Sequence, residues 1–432
     1  MLNILQNNAV SPSRRFLLLQ GLMGPFFHEI GKAFRKAGYE VYKINFNGGD
    51  QLFWRLPHGI NFTGSMDEWP GFLTDVITKH GITDVMLFGD CRPLHRKAAS
   101  VCIERGLRVY VFEEGYIRPD WVTLELDGVN GHSSLPRDPA WYREQAAHLP
   151  PLPPHVQVPS SFRRRALEAV AYNAADLLTR WYFKNWHDYR PWHPWTEGVG
   201  WLKRLWRRDA ARERTEKIMA EVADHNLPYM LFPLQLDADA QIRLHSDFDG
   251  IAGAIRFVLE SFAKHAPKDL YLLVKEHPLD NGVKDWSALT RKIARKLGVA
   301  DRVRYLESGD IAQMVRAAKG VVTINSTTGT LALICNVPVI TLGQAIYDLP
   351  DITDQGTLDH FWGAPTPPDP VTFEDFRRVL IDRCLIEGGF FSPEGLKLLV
   401  QGTLRRINRT TPSEDGKVFT ISHLQTSSSS RQ

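Results

Sequence analysis

The sequence predicts an α/β protein of two doubly wound, parallel-sheet domains. Three observations predict it: the length, the alternation of apolar strand-like runs with helix-like segments in both halves, and a proline-rich break between those halves. At 432 residues the chain is too long for one small core, and two domains of roughly 200 residues each are the natural division. A hydrophobic content of 43% and a charged content of 23% describe an ordinary soluble globular protein. A formal charge of +3 is too slight to imply nucleic acid.

The first half opens with "RFLLLQG" (15–21), a strand ending in a glycine turn. A helix over 24–37 leads to the strand "YEVYKINF" (39–46). "FNGGD" (46–50) reads as a loop. Helix 67–80 precedes strand "DVMLFGD" (84–90), and helix 92–105 precedes strand "LRVYVFEEG" (107–115). "LPPLPPHVQVP" (149–159) marks a linker. The alternation resumes with strand 227–235, helix 249–265, strand and loop 269–278, and helix 285–297. Strand 302–306, helix 310–318, strand 320–325, helix 328–335 and strand 337–343 complete the second unit. The halves match in pattern only, without a sequence repeat. The expected domains are 1–148, Rossmann-like and bearing acceptor and catalytic groups, and 227–400, Rossmann-like and binding the donor. Between them, 149–226 joins the linker to a basic, Trp-rich helical segment, and 401–432 holds a helix end and a disordered tail. Two such domains facing a cleft form a GT-B-like architecture. A two-domain dehydrogenase has similar composition, but no strand end carries GxGxxG, and the P-loop lysine pattern is also missing.

In parallel sheets ligands sit beyond the carboxyl ends of the strands. Gln20-Gly21, Gly89-Asp90 and Glu113-Glu114-Gly115 all fall there. Adjacent carboxylates repel, so burying both ionised is costly without partners. In "TINSTTGT" (323–330) a strand ends at Asn325, and Ser326, Thr327, Thr328 and Gly329 open a helix whose free N–H groups cradle an anion. In "LLVKEHPLD" (272–280), Lys275 and His277 lie on one side of an extended segment, within reach of the same anion, and Pro278 stiffens the turn. Four cysteines (Cys91, Cys102, Cys335, Cys384) stand at no metal-type spacing, which fits free thiols in apolar segments of a reducing compartment.

KxHP followed by strand–NSTTG–helix resembles the nucleotide-binding half of CMP-sugar-dependent GT-B transferases. Together with "QGLMGPFFHEIGKAF" (20–34), "GDCRPLH" (89–95), "FEEGYIRPDWVTLE" (112–125) and "PLQLDADAQIRLHS" (233–246), the chain resembles the capsular polysaccharide biosynthesis/export family of the KpsS/LipB type over about residues 15–345. That resemblance implies a retaining β-Kdo transferase that uses CMP-Kdo and primes capsule assembly on a phosphatidylglycerol-type lipid or a short Kdo primer, with other capsule assembly or export proteins as partners. The related KpsC type carries an EDG-like motif where this chain has Glu113-Glu114-Gly115, which leaves open which glutamate acts. Retention by double displacement needs a carboxylate nucleophile and an acid/base group. Successive strand residues alternate faces, so one of the two should face the cleft: Glu114 as nucleophile, Glu113 as support. Gly115 lets the backbone turn. Asp90 and Asp120 are the next acid/base candidates, and Gln20, Asp90, Arg92 and Arg118 are expected to hold a sugar carboxylate or lipid phosphate, the arginines bidentately. By resemblance Gln241 and Arg243 belong to the donor side. No cofactor or metal is expected, because a helix N-terminus with Lys275 and His277 can neutralise the leaving phosphate. A CMP-activated polyol-phosphate transferase would use the same His-Pro and Asn-Ser-Thr elements. A non-catalytic export adaptor would hold a lipid-linked glycan without turning it over.

Residues 162–208 hold six of the twelve tryptophans. Their eight Arg, two Lys, two Glu and two Asp give +6, which leaves the remainder slightly acidic. Basic residues interleaved with Trp and Tyr suit an anionic bilayer interface, and a lipid acceptor requires one. A helical hairpin packed over the cleft uses the same residues. With no signal peptide and no apolar run of about 18 residues, the expected location is cytoplasmic, peripheral on the inner membrane.

Overall fold

The computed structural model describes residues 14–152, 157–187, 192 and 194–409. Residues 1–13, part of the linker and the C-terminal tail lie outside the described residues. The first sheet is built from β1 (Arg15–Leu18), β2 (Glu40–Asn45), β3 (Gly59–Asn61), β4 (Asp84–Phe88), β5 (Arg108–Glu114) and β6 (Trp121–Leu126). Every residue of β4 is buried, as a parallel strand covered on both faces requires. The helices α1 (Phe26–Lys36), α2 (Gly48–Phe53), α3 (Trp69–His80), α4 (Pro93–Glu104) and α5 (Pro139–Ala147) pack around it. Phe26, Ile30 and Phe34 recur at helical spacing on α1 and bury its inner face. "FNGGD" is therefore not a loop: Asn47 caps α2 by accepting from the Asp50 N–H.

Two helices, α6 (Phe162–Leu178) and α7 (Pro194–Asp224), carry most of the basic, Trp-rich stretch. Gly48 and Gly49 let α6 dock on α2; a Cβ at Gly49 would lie 2.5 Å from the Tyr172 ring. The second sheet has β7 (Tyr229–Pro233), β8 (Tyr271–Lys275), β9 (Val303–Leu306), β10 (Gly320–Thr323) and β11 (Val339–Thr341), in the order β11-β10-β7-β8-β9, all parallel. Among them run α8 (Ala240–Leu244), α9 (Ile251–His265), α10 (Trp286–Lys296), α11 (Ile311–Ala317) and α12 (Thr327–Ile334). These two domains with a cleft between them are the GT-B-like arrangement.

The chain then returns. After α13 (Leu358–Phe361), α14 (Pro370–Arg383) packs on α5. The strand β12 (Leu385–Glu387) pairs antiparallel with β6 and closes the first sheet as β12-β6-β5-β4-β1-β2-β3. Finally α15 (Pro393–Arg409) covers α1, burying Leu396 and Leu399 with Phe26 and Phe112. Residues 385–400, read from the sequence with the second domain, and 401–409, read as a helix end, thus pack with the first sheet. One continuous core passes from Leu17 and Val85 through Phe376 and Cys384 to Leu231 and Val321, so the domains share apolar packing. All four cysteines are free; Cys91, Cys102 and Cys384 are buried and Cys335 is half-buried.

Candidate active site

The carboxyl ends of β1, β4, β5, β7, β8 and β10 converge on a cleft of about 570 Å³ between the domains. Its walls include Gln20, Arg92, Glu113, Glu114 and Arg118 from the first domain and Gln235, Asp239, Gln241, His277, Ser326 and Thr327 from the second. Both glutamates of the pair line it, contrary to the expectation of one. The reason is local. The strand ends at Glu114, and the Glu113 side chain curls back so that its Oε1 accepts the Glu114 N–H at 3.0 Å.

The two carboxylates sit in different surroundings. Glu114 is ion-paired with Arg118 at 2.9 Å and with Arg165 of α6 at 3.2 Å. Glu113 has no such cation at contact distance among the described ion pairs, and burial pushes its carboxyl up to about 7, with the charge of Glu114 adding to that. This shift has a stability consequence. Between the ordinary value of 4.5 and about 7 the unfolded chain releases the proton first, so the native state loses stability as pH rises through that window, by of order 3 kcal/mol. Glu113→Gln, which carries no such proton, should show a flatter stability profile from pH 4.5 to 7 in denaturant titrations. Identical profiles for the two proteins would place the Glu113 carboxyl in an ordinary environment.

Gly115 is needed for space: its Cβ would lie 2.0 Å from the Trp121 carbonyl oxygen, where the chain folds back into β6. Asp120 does not reach the cleft. It is buried, and its Oδ1 accepts the Val158 N–H at 2.7 Å, which makes it an anchor for the linker rather than an acid/base group. Asp90 is also off the cleft wall. Burial opposes its charge, but His132, the Val129 N–H and the Cys91 thiol outweigh that and hold its carboxyl below the usual range. Arg92 does reach the mouth, donating to Gln20 Oε1 at 2.8 Å, while Gln20 donates to the Tyr172 hydroxyl.

On the opposite wall Ser326 caps α12 by accepting the Thr328 N–H, and Asn325, Ser326 and Thr327 face the cleft. Thr328 turns its hydroxyl to Ser326, and Gly329 makes room for the buried Tyr347, whose hydroxyl would lie 2.3 Å from an added Cβ. Tyr347 donates to the Ser326 carbonyl oxygen and so fixes the loop. Neither Thr328 nor Gly329 is on the cleft wall.

Lys275 and His277 part company. Since β8 ends at Lys275, the strand alternation stops there; Lys275 is buried and donates to the Glu276 carbonyl oxygen, away from the cleft wall. His277 begins the turn through Pro278, in which Asp280 N–H donates to its carbonyl oxygen. Burial, with Arg118 and Lys275 nearby, lowers its ring to about 4. Its Nδ1 accepts the Leu279 N–H at 3.0 Å, so the neutral ring carries its proton on Nε2 as a donor. Arg204 of α7 braces this turn, donating to the His277 carbonyl oxygen and pairing with Glu276 at 3.1 Å. Arg243 is exposed on α8, whereas Gln241 lies on the wall: residues two apart on a helix do not share a face.

Three residues escape a motif reading. Arg165 and Tyr172 reach the cleft from α6, and Asp239, the cap of α8, faces the glutamates with its carboxyl raised by burial. An Arg on a basic helix and an Asx cap both carry sufficient local explanations.

The family model described as capsule polysaccharide biosynthesis protein matches residues 83–391. The chain is 35% identical over 393 residues to the capsule polysaccharide export protein KpsS of Escherichia coli, covering 90% of this chain and all of that protein. It is 36% identical over 400 residues to the capsule polysaccharide modification protein LipB of Neisseria meningitidis serogroup A, covering 89% and 93% of the two chains. Among solved structures, the β-Kdo 2,7 transferase KpsC of Thermosulfurimonas dismutans aligns over 91% of this chain and 100% of its own, at 13% identity and a TM-score of 0.46.

Proposed function

The chain belongs to the capsule polysaccharide biosynthesis protein family, and from that premise we propose that it is a retaining transferase moving Kdo from CMP-Kdo to a phosphatidylglycerol-type lipid. The observation that carries this reading is the facing of two carboxylates in unequal surroundings against an anion cradle. Glu114 attacks the anomeric carbon as the bond to the CMP phosphate breaks. The leaving phosphate receives the charge, held by His277 Nε2–H, the Ser326 hydroxyl and the positive end of the α12 dipole. An acceptor hydroxyl then gives its proton to Glu113 and displaces Glu114, so that two inversions give retention. Arg92 and Arg118 hold the sugar carboxylate or lipid phosphate. Lys275, set back from the wall, supports the phosphate electrostatically. No cofactor and no metal is assigned to this reaction. Incubation with CMP-Kdo and a fluorescent lysophosphatidylglycerol should yield a Kdo-bearing lipid and free CMP. A CMP-linked polyol phosphate used in its place would indicate the related transferase, and glycolipid binding without turnover an export adaptor.

A lipid acceptor brings the protein to a membrane surface, and the helices supply the means. No helix among the described residues is long and apolar enough to cross a bilayer. Twelve of the nineteen large hydrophobic side chains left exposed among the described residues lie in 162–206, Trp181, Trp195 and Trp206 included. On α6 the exposed Leu167, Val170, Leu177 and Leu178 form one stripe, while Arg165, Tyr172 and Asp176 face the cleft. One helix therefore presents an apolar face outward and a polar face to the candidate site. Arg204 serves the His277 turn, so the surface cations to test are Arg207 and Arg208. Replacing both with Gln should weaken binding to phosphatidylglycerol vesicles by about 1 kcal/mol per charge, with high salt mimicking the change. Vesicle sedimentation insensitive to the variant and to salt would reduce the helices to a packed lid.

A further inference from the structure

Three segments far apart in sequence bring Cys91, His132 and His245 together beside the cleft, with one ligand atom from each lying within 4.8 Å of the others. Cys91 follows β4, His132 ends a short 3-10 turn after β6, and His245 follows α8, so the trio joins the two domains. We propose that these residues form a zinc site that clamps the two domains.

The geometry of each ligand supports the assignment. Cys91 Sγ lies 3.6 Å from His245 Nε2. Zinc bonds of about 2.3 Å to sulfur and 2.0–2.1 Å to nitrogen place two tetrahedral ligands about 3.6 Å apart. The outer nitrogens of both rings are already held, as metal-binding histidines require. His132 Nδ1 is 3.0 Å from Asp90 Oδ2, which leaves Nε2 as the ligand nitrogen and sets up a carboxylate–histidine pair. The His245 ring hydrogen-bonds Gln344, which leaves Nε2 toward the sulfur. That approach depends on Gly131, where a Cβ would sit 2.2 Å from His245 Nδ1 and 2.8 Å from Gln344 Oε1. Cys91 and His245 are buried, and the His132 side chain is half-exposed at the open side of the trio. A thiolate with two imidazoles is a donor set suited to zinc. On binding, the Cys91 S–H bond breaks, its proton goes to solvent, and a sulfur–zinc bond forms. Asp90 balances the added charge from behind. The fourth position is left to solvent from the cleft, whose wall Cys91 shares.

The test uses the full chain freed of any affinity tag, stripped with chelator, reloaded with Zn²⁺ and desalted. One zinc per chain should be retained, and the melting temperature should rise above that of the stripped protein. Cys91→Ala and His245→Gln should each bring the metal to background, while Cys102→Ala retains it. Co²⁺ in place of zinc should give the thiolate-to-cobalt charge-transfer band and the visible bands of four-coordinate cobalt. The cobalt spectrum of the unsubstituted protein decides the matter even where a variant misfolds. Absence of the thiolate band, or equal zinc in the unsubstituted and Cys91→Ala proteins, would overturn the assignment.

Discussion

Glu114→Gln should lower Kdo transfer by several orders of magnitude while leaving CMP affinity within a few-fold of the unsubstituted protein. The substitution keeps the shape of the side chain but removes the electron pair that forms the covalent intermediate, an interaction of the transition state rather than of donor binding. It also breaks the ion pairs with Arg118 and Arg165, so a fold control by circular dichroism belongs beside it. Glu113→Gln should cost less and act differently. If Glu113 takes the acceptor proton near pH 7, kcat/KM of the unsubstituted enzyme falls below that pH, and the variant loses that limb of the profile. A dead Glu113→Gln beside a near-normal Glu114→Gln would exchange the two roles. Full activity in both would make the pair a solvated strand end.

The second large effect concerns the donor. Ser326→Ala combined with His277→Ala should weaken CMP binding by roughly 10- to 100-fold per lost contact, each charge-assisted hydrogen bond contributing about 1.5–3 kcal/mol. The two residues stand on different loops; Ser326→Ala removes the cap on the Thr328 N–H, while the Tyr347 bond to the Ser326 carbonyl still ties the loop down, so a fold control by circular dichroism belongs here too. Calorimetry showing unchanged CMP affinity in a folded double variant would remove this wall from the donor site.

What the sequence made legible follows physical lines. Parallel strands such as "DVMLF" are unbroken apolar runs, and helices start at side-chain caps such as Ser161, Asp285 and Asp310, so the alternation is visible locally. The pairing of β12 with β6 joins Leu385 to Thr123, and no local pattern records a partner so distant. One error at the candidate site comes from extending a local period past its end. Lys275 and His277 share a side only while the strand lasts, and it stops at Lys275. Gln241 and Arg243 separate because the segment is helical. Glu113 entered the cleft through a side-chain-to-backbone bond, which strand alternation does not anticipate. Arg165 arrives from α6, 51 residues beyond Glu114, through a packing made possible by Gly48 and Gly49.

A covalent glycosyl intermediate on Glu114 can be seen by mass spectrometry. Glu113→Gln protein is incubated with CMP-Kdo in the absence of acceptor, then analysed intact and after proteolysis. CMP should be released, with a mass increase of one Kdo residue on the peptide spanning 109–125, located on Glu114 and absent from the Glu113→Gln/Glu114→Gln double variant. Release of CMP with the adduct on another residue, or transfer to lipid by Glu114→Gln at the unsubstituted rate, would contradict an intermediate on Glu114.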